Sequence, residues 1–420
     1  MQFAIFIMLS VLLLARGFIS PKSTPCRINT WGGREITAFT SSQRFNNSPL
    51  FTRRKLLPNS TASRYLSSKR HLSSKNNESE VCTKLGNCKS IAETLRAGVQ
   101  RLEKYSAPEP TASACHLLSF ALKDDFRWED NGFSTLLNIL DNPRYDKNLS
   151  EKEMKIDELD CFSKMLERRI AKEPLQYIIG QWDFHDCVLK IRPPCLCPRP
   201  ETEELVEYAA NDIKRMIQLL RANGSDRKLR ILNVGCGTGA IGIAVANLFK
   251  NDVEVVAIDV AKAAIGLSEE NAKFVLGDKQ SCHHKPILCP ATEYTGENKV
   301  FVNHTFQYDI VISNPPYIPS KDMDTLTSDV VDYEDYGALC GGDDGLDVVR
   351  DILKRLSEWC DVRKDPHLFN PICWMEVDTS HPILIEKSAG QHESIEFLQG
   401  LKDFGGLDRF VQLEIKLKNN

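Results

Sequence analysis

"KLRILNVGCGTGAIGIAVANLF", residues 228–249, reads as a short apolar strand, a glycine turn and a helix. Gly235, Gly237 and Gly239 fall between strand and helix, with Cys236 and Thr238 between them. With Ala240 they satisfy the dinucleotide-type fingerprint, which permits Ala at its last place. Glycines there let the backbone approach a ligand closely, and a helix amino terminus follows. The same pattern also serves as a plain tight corner, so its surroundings decide. "VEVVAIDV" (253–260) reads as a second strand and "AKAAIGLSEENAKFVL" (261–276) as a second helix. "YDIVIS" (308–313), "GLDVVRDILKRLSEWC" (345–360) and "PICWMEVD" (371–378) continue the alternation. Strands alternating with helices predict an α/β, Rossmann-like, doubly wound parallel sheet. "RFVQLEIKLK" (409–418) alternates in polarity and predicts an antiparallel edge strand.

Asp259 ends the second strand, 24 residues after Gly235. A carboxylate at that place can accept hydrogen bonds from ribose hydroxyls; the plainer reading is a cap for the next helix. Glycines and acid together predict a nucleoside cofactor without choosing between NAD and S-adenosylmethionine.

"NPPY", Asn314-Pro315-Pro316-Tyr317, makes that choice. It follows "YDIVIS", and ligands on such sheets bind beyond the carboxyl ends of the strands. Prolines fix the backbone and donate no hydrogen bond. A rigid corner can hold two acceptors outward, the Asn314 side-chain oxygen and the Pro315 carbonyl, with the flat face of Tyr317 beside them. Such a corner suits an NH₂ on a planar group. An amide nitrogen is a poor nucleophile because its lone pair is delocalised. Holding both N–H groups orients the nitrogen, and positioning supplies much of the catalysis. The methyl of a sulfonium cofactor would sit in line, whereas hydride transfer has no use for this corner.

The chain has 420 residues, 42% of them hydrophobic, enough for two folded domains plus tails. A net charge of −4 argues against coating nucleic acid by bulk electrostatics. Phe3 to Ala15 is an apolar run, too short to span a bilayer comfortably and ended by Arg16. From there to about Ser74 the chain is rich in Ser, Thr, Arg and Lys, with Glu35 its only acid. A signal-like run followed by a transit-like run predicts import into a plastid behind an extra membrane. A mitochondrial presequence is the alternative, and a secreted protein with a disordered tail a third. The 14 cysteines show no regular framework. Most, such as Cys115 and Cys373, lie in apolar runs and read as core residues of a reducing compartment. Cys282, His283, His284 and Cys289 lack the paired spacing of a structural zinc site and read as a solvated loop, so no metal is assigned.

The organisation read is a targeting region over 1–76, a helical domain over 77–180, a linker hairpin and helix over 181–226, and the sheet domain over 227–420. In the helical domain, "SIAETLRAGVQRLEKYS" (90–106) repeats apolar residues at three- and four-residue steps. In the linker, Thr202 and its neighbouring acids read as a helix start.

Several stretches together resemble the HemK/PrmC protein-glutamine methyltransferases. They are "EPLQYIIGQWDF" (173–184), "CPRPETEELVE" (197–207), "ILNVGCGTGAIGIA" (231–244), "NPPYI" (314–318), "DYEDYGALCGGDDGLDVVRDIL" (332–353), "WMEVDTSHP" (374–382) and "DFGGLDRF" (403–410). The likeness runs from about Ser90 to the carboxyl end. It implies a class I S-adenosylmethionine-dependent methyltransferase with a small helical domain that helps hold the substrate. The implied substrate is the glutamine of the Gly-Gly-Gln loop of a class-I peptide chain release factor, here an organellar one. Gly235, Cys236, Gly237, Thr238 and Gly239 would hold the methionine portion of the cofactor and Asp259 its ribose, with Asn314 also near the cofactor. Asn314 and Pro315 would bind the glutamine amide, with Pro316 and Tyr317 completing the pocket. Arg199, Glu201 and Glu203 match a motif near the cofactor, with a helix-start role as the alternative. Two departures stand out: the usually acidic position 233 is Asn233, and no adenine-contacting residue is identified in residues 277–307.

NPPY alone is shared with adenine and guanine amino-methyltransferases. A nucleic-acid substrate would need a basic face and a base-flipping pocket, and the acidic stretch 329–347 argues against it. An inactive scaffold that binds a partner through its helical domain has only Asn233 in its favour. No membrane contact of the imported protein and a monomeric state complete the expectations.

Overall fold

The computed structural model describes residues 90–122, 132–142, 144–295, 307–360 and 368–416. The targeting region read over 1–76 and the start of the helical domain to residue 89 lie outside the described residues.

Six helices come first: α1 (Ile91–Lys104), α2 (Pro110–Ala121), α3 (Gly132–Asp141), α4 (Lys147–Ser150), α5 (Ile156–Ile170) and α6 (Leu175–Ile179). Ser90 caps α1 by accepting from the Glu93 amide, and Pro110 opens α2 where its missing N–H is not needed. The apolar steps read in α1 become its buried stripe, Ile91, Leu95, Val99 and Leu102, packed with Leu117, Leu118, Phe162 and Leu166. α6 carries "LQYII" and does not belong to this packing alone. Tyr177 joins the core of the sheet domain, and its hydroxyl donates to the Cys195 carbonyl at 2.6 Å. Cys115 and Cys373 are buried free thiols.

A hairpin follows, β1 (Gln181–Phe184) with β2 (Cys187–Lys190), then the long α7 (Pro200–Ala222). The sheet domain runs β3 (Leu229–Val234), α8 (Ala240–Phe249), β4 (Val253–Asp259), α9 (Lys262–Gln280), β5 (His284–Leu288) and β6 (Ile310–Ser313). It continues with the short α10 (Ser328–Val331) and α11 (Tyr336–Leu339), then α12 (Asp347–Trp359), β7 (Ile372–Glu376), α13 (Pro382–Ala389), β8 (Ile395–Lys402) and β9 (Asp408–Ile415). The seven strands lie in the order β5-β4-β3-β6-β7-β9-β8, all parallel except β9, which is antiparallel to both β7 and β8. Alternate residues of β3 point to opposite faces. Leu229 and Ile231 meet α7, α8 and α9, whereas Leu232 and Val234 meet α12 and α13. Among the described residues no helix is long and apolar enough to cross a membrane.

Two sequence expectations are corrected. β9 is antiparallel but not the edge; the edge is β8, "IEFLQGLK", whose side chains are mostly exposed and carry no clear alternation. Residues 282–289 are not a solvated loop. His284 is buried on β5 and pairs through Nε2 with the Ser268 hydroxyl at 2.9 Å. Pro286 sits inside that strand, which is tolerated because β5 is the opposite edge. Cys282 is exposed, while Cys289 lies past the far end of the strand, where its amide donates to the Asp259 carbonyl at 2.9 Å.

Candidate active site

β3 stops at Val234 and its register with β6 pairs Val234 with Ser313. The next residue on each strand therefore begins a motif, Gly235 on one side and Asn314 on the other. A Cβ on Gly235 would lie 3.8 Å from the Asn314 carbonyl oxygen, so the glycine turn and the NPPY corner adjoin. The Ser313 hydroxyl donates to the Val234 carbonyl at 2.9 Å and ties the two strand ends together.

All three glycines of the turn have positive φ, from 53° at Gly237 to 87° at Gly239. Gly239 is needed twice over: a Cβ there would stand 2.6 Å from Ser268 Oγ and 2.7 Å from Ile243 Cδ1. Between the glycines, Thr238 is buried and gives its carbonyl to Asn271, while burial, and then the nearby Asp259, push the Cys236 thiol well up. Asp259 closes the turn. One carboxylate oxygen accepts from the Gly237 amide at 2.9 Å and the other from the Ala261 amide at 2.8 Å. Burial raises its pKa, against these backbone hydrogen bonds. Asp259 therefore shapes the turn; a carboxylate has lone pairs left for further donors.

Asn233 lies beneath the turn, fully buried, and its Nδ2 donates to the Ile312 carbonyl at 3.2 Å. Its Oδ1 is buried with no partner among the described residues. The neutral amide at this position, where the resemblance implies that an acid is usual, thus has an acceptor to spare. Beyond Asp259 are two exposed apolar residues on neighbouring strand ends, Val260 at 69% and Leu288 at 53% exposure. Asp259 and Leu288 are register partners, so carboxylate and apolar surface are adjacent. The sequence does not single out Leu288, because "HKPIL" does not look like a strand, and nothing local sets Val260 apart.

The NPPY corner is braced from behind by the second glycine group. A Cβ on Gly341 would lie 2.5 Å from the Pro316 carbonyl, and one on Gly345 2.3 Å from the Tyr317 carbonyl. Backbone hydrogen bonds from Ile318 to Leu339 and from Gly341 to Ile318 lock the same contact. Pro315 is buried, whereas Asn314, Pro316 and Tyr317 are half-buried. Tyr317 places its hydroxyl 3.5 Å from Glu376 Oε1, and its pKa is pushed up to about 12, first by burial and then by Glu376. Asn314 Nδ2 donates to Thr202 Oγ1 at 3.0 Å, and Thr202 Oγ1 donates to Glu376 Oε2 at 2.7 Å. Among the described residues no protein donor reaches Asn314 Oδ1 or the Pro315 carbonyl.

Of "PRPETE", the residue that reaches the corner is Thr202. The helix starts at Pro200, and Thr202 turns its hydroxyl to Glu376 instead of capping the first turn. Arg199 pairs with the buried Glu334 at 2.7 Å, which also accepts from the Cys197 amide at 3.2 Å. Glu203 lies by the hairpin at His185, where burial raises its pKa against a hydrogen bond from the His185 backbone. Glu201 is half-buried and acts electrostatically on Glu376 and Arg409. Thr202 and Glu376 stand within quoted motifs but carry no local sign of their partnership.

Two acceptors without a protein donor among the described residues, Asn314 Oδ1 and the Pro315 carbonyl, therefore stand next to a glycine turn with a carboxylate and two exposed apolar residues. A Methyltransferase small domain model matches residues 213–332, and a PrmC N-terminal domain model matches residues 148–180. A human protein described as MTRF1L release factor glutamine methyltransferase is 33% identical over 259 residues, covering 61% of this chain and 71% of its own. A release factor glutamine methyltransferase of Bacillus anthracis is 33% identical over 236 residues, covering 56% and 77%. That of Fusobacterium nucleatum is 32% identical over 282 residues, covering 66% and 70%.

Proposed function

Since the chain belongs to the HemK/PrmC family of release factor glutamine methyltransferases, we propose that it methylates the glutamine amide of a Gly-Gly-Gln loop in an organellar class-I release factor. The enzyme class is S-adenosylmethionine-dependent protein-glutamine methyltransferase. The residues present fit that cofactor. The glycine turn leaves room against the backbone, Asn233 Oδ1 is a spare acceptor, Asp259 suits ribose hydroxyls, and Val260 with Leu288 offer an apolar face to a base. When bound, S-adenosylmethionine supplies an electrophilic methyl on a cationic sulfur.

The chain's own residues supply position. Asn314 Oδ1 and the Pro315 carbonyl accept the two amide N–H groups of the glutamine and hold its nitrogen toward the glycine turn. The prolines keep those acceptors fixed, so no reorganisation accompanies the reaction. Tyr317 covers the amide plane. No strong base is needed before transfer, because the nitrogen sheds its proton once it is cationic. The single observation that carries this reading is the Asn314 carboxamide, tied by its nitrogen to Thr202 at 3.0 Å and free at its oxygen, beside Gly235.

The organelle is inferred from the signal-like and transit-like composition of residues 1–76, a plastid before a mitochondrion. The test is transfer of label from S-adenosylmethionine by the full chain to a class-I release factor, with a Gln→Ala change in the loop as control. Label on the native factor alone is expected. Label on neither factor but on an oligonucleotide would replace this reading with amino-methylation of a base.

A further inference from the structure

Asn314 is useful in one orientation only. Its carboxamide has an oxygen and an NH₂ of nearly the same shape, and only the oxygen can accept from a substrate amide. Two buried residues stand behind it. Thr202 is 4% exposed and Glu376 1%. An ionised carboxylate only accepts hydrogen bonds, and a hydroxyl has one hydrogen to give. The Thr202 hydrogen is committed to Glu376 Oε2 at 2.7 Å, so the lone pair alone faces Asn314. Against a lone pair only the NH₂ fits, at 3.0 Å, and Oδ1 must point away from Thr202.

We propose that Glu376, acting through Thr202, is a positioning pair that fixes the Asn314 amide with its oxygen toward the substrate nitrogen. This rests on the methyl-transfer reading above. The chain of three comes from three elements, β7, the first turn of α7 and the corner after β6, so each hydrogen bond also fixes where those elements meet.

The arrangement depends on the charge of Glu376. The groups facing it are Thr202 and Glu201 from α7, Tyr317 from the corner and Arg409 from β9. Burial raises its pKa to about 7, against Thr202, Arg409 and Tyr317, which favour the ionised form. Once protonated, Glu376 can donate to Thr202. The hydroxyl hydrogen is then free for Asn314 Oδ1, and the amide can turn over. An NH₂ would then meet the NH₂ of the substrate, and transfer would stop.

Thr202→Val, Thr202→Ser and Glu376→Gln test this in the full chain, with labelled S-adenosylmethionine and a class-I release factor. The Val variant is expected to lower kcat on the order of 100-fold with cofactor Kd unchanged. The Ser variant, which keeps the hydroxyl, is expected within a few-fold of wild type. In wild type kcat is expected to fall tenfold per pH unit below about pH 7, and Glu376→Gln is expected to remove that limb. A Ser variant as slow as the Val variant, or a Glu376→Gln enzyme with the same limb, would overturn the proposal. The Asn314 side-chain ¹⁵N signal gives a second reading that needs no substrate. It should shift with a midpoint near pH 7 in wild type and not in Glu376→Gln. A wild type that labels no release factor refutes the proposed function, while the ¹⁵N titration still decides the positioning pair; an Asn314 signal blind to pH counts against it.

Discussion

Glu376→Gln should make the protein more stable relative to wild type as pH rises. Glu376 is 1% exposed, and burial raises its pKa from the ordinary 4.5 to about 7. The folded state thus holds the proton more tightly than the unfolded chain does. Stability from this group is fully present below the unfolded value near 4.5 and is lost as pH rises through about 7. Each pH unit between the two values is about 1.4 kcal/mol, so the whole change is roughly 3 kcal/mol. Between pH 5 and pH 8 roughly 2–3 kcal/mol of it remains to be lost. Glutamine does not titrate, and every other group is common to both proteins. Urea unfolding of wild type and variant at both pH values isolates the term. The variant should gain roughly 2–3 kcal/mol on wild type from pH 5 to pH 8. A wild-type-to-variant difference that stays constant across that range would refute the reasoning, because it would mean that Glu376 ionises like an exposed carboxylate.

Asn314→Ala should abolish transfer to the release factor and leave cofactor binding nearly intact by calorimetry; an equal loss of both would merge the roles assigned to the corner and the glycine turn. Gly239→Ala forces a Cβ to 2.6 Å from Ser268 Oγ at a φ of 87°, and should cost about 3 kcal/mol with loss of cofactor affinity, read by denaturation and calorimetry. Asp309, which accepts from the two terminal Arg227 guanidinium nitrogens at 2.9 Å and from the Arg230 amide at 2.8 Å, anchors the start of β6. Asp309→Ala should destabilise by about 3 kcal/mol in the same urea assay, with Asp309→Asn losing less.

The legible parts of this fold are those where the local chain leaves little choice. Positive φ at Gly235, Gly237 and Gly239 demands glycine, so the turn shows in the sequence. Two prolines end β6 whatever lies around them, and Asp259 marks the end of β4. β5 was hidden because two histidines and Pro286 look like a polar loop, and the burial of His284 depends on Ser268 in α9. β8 was hidden because its edge position leaves most side chains in water, so no alternation marks it. The pairing of Thr202 with Glu376 spans 174 residues, and nothing local in "PETE" or "WMEV" announces it. Asn233 and Val260 show their surroundings only once the strands are aligned.

The most direct test of the central claim is the position of the added methyl. A class-I organellar release factor would be incubated with the full chain and S-adenosylmethionine, then fragmented and weighed peptide by peptide. One methyl on the side-chain amide of the Gly-Gly-Gln glutamine, absent when Asn314 is alanine, is the predicted result. A methyl on any other residue, or an unmodified loop from an enzyme that binds the cofactor, would contradict the account.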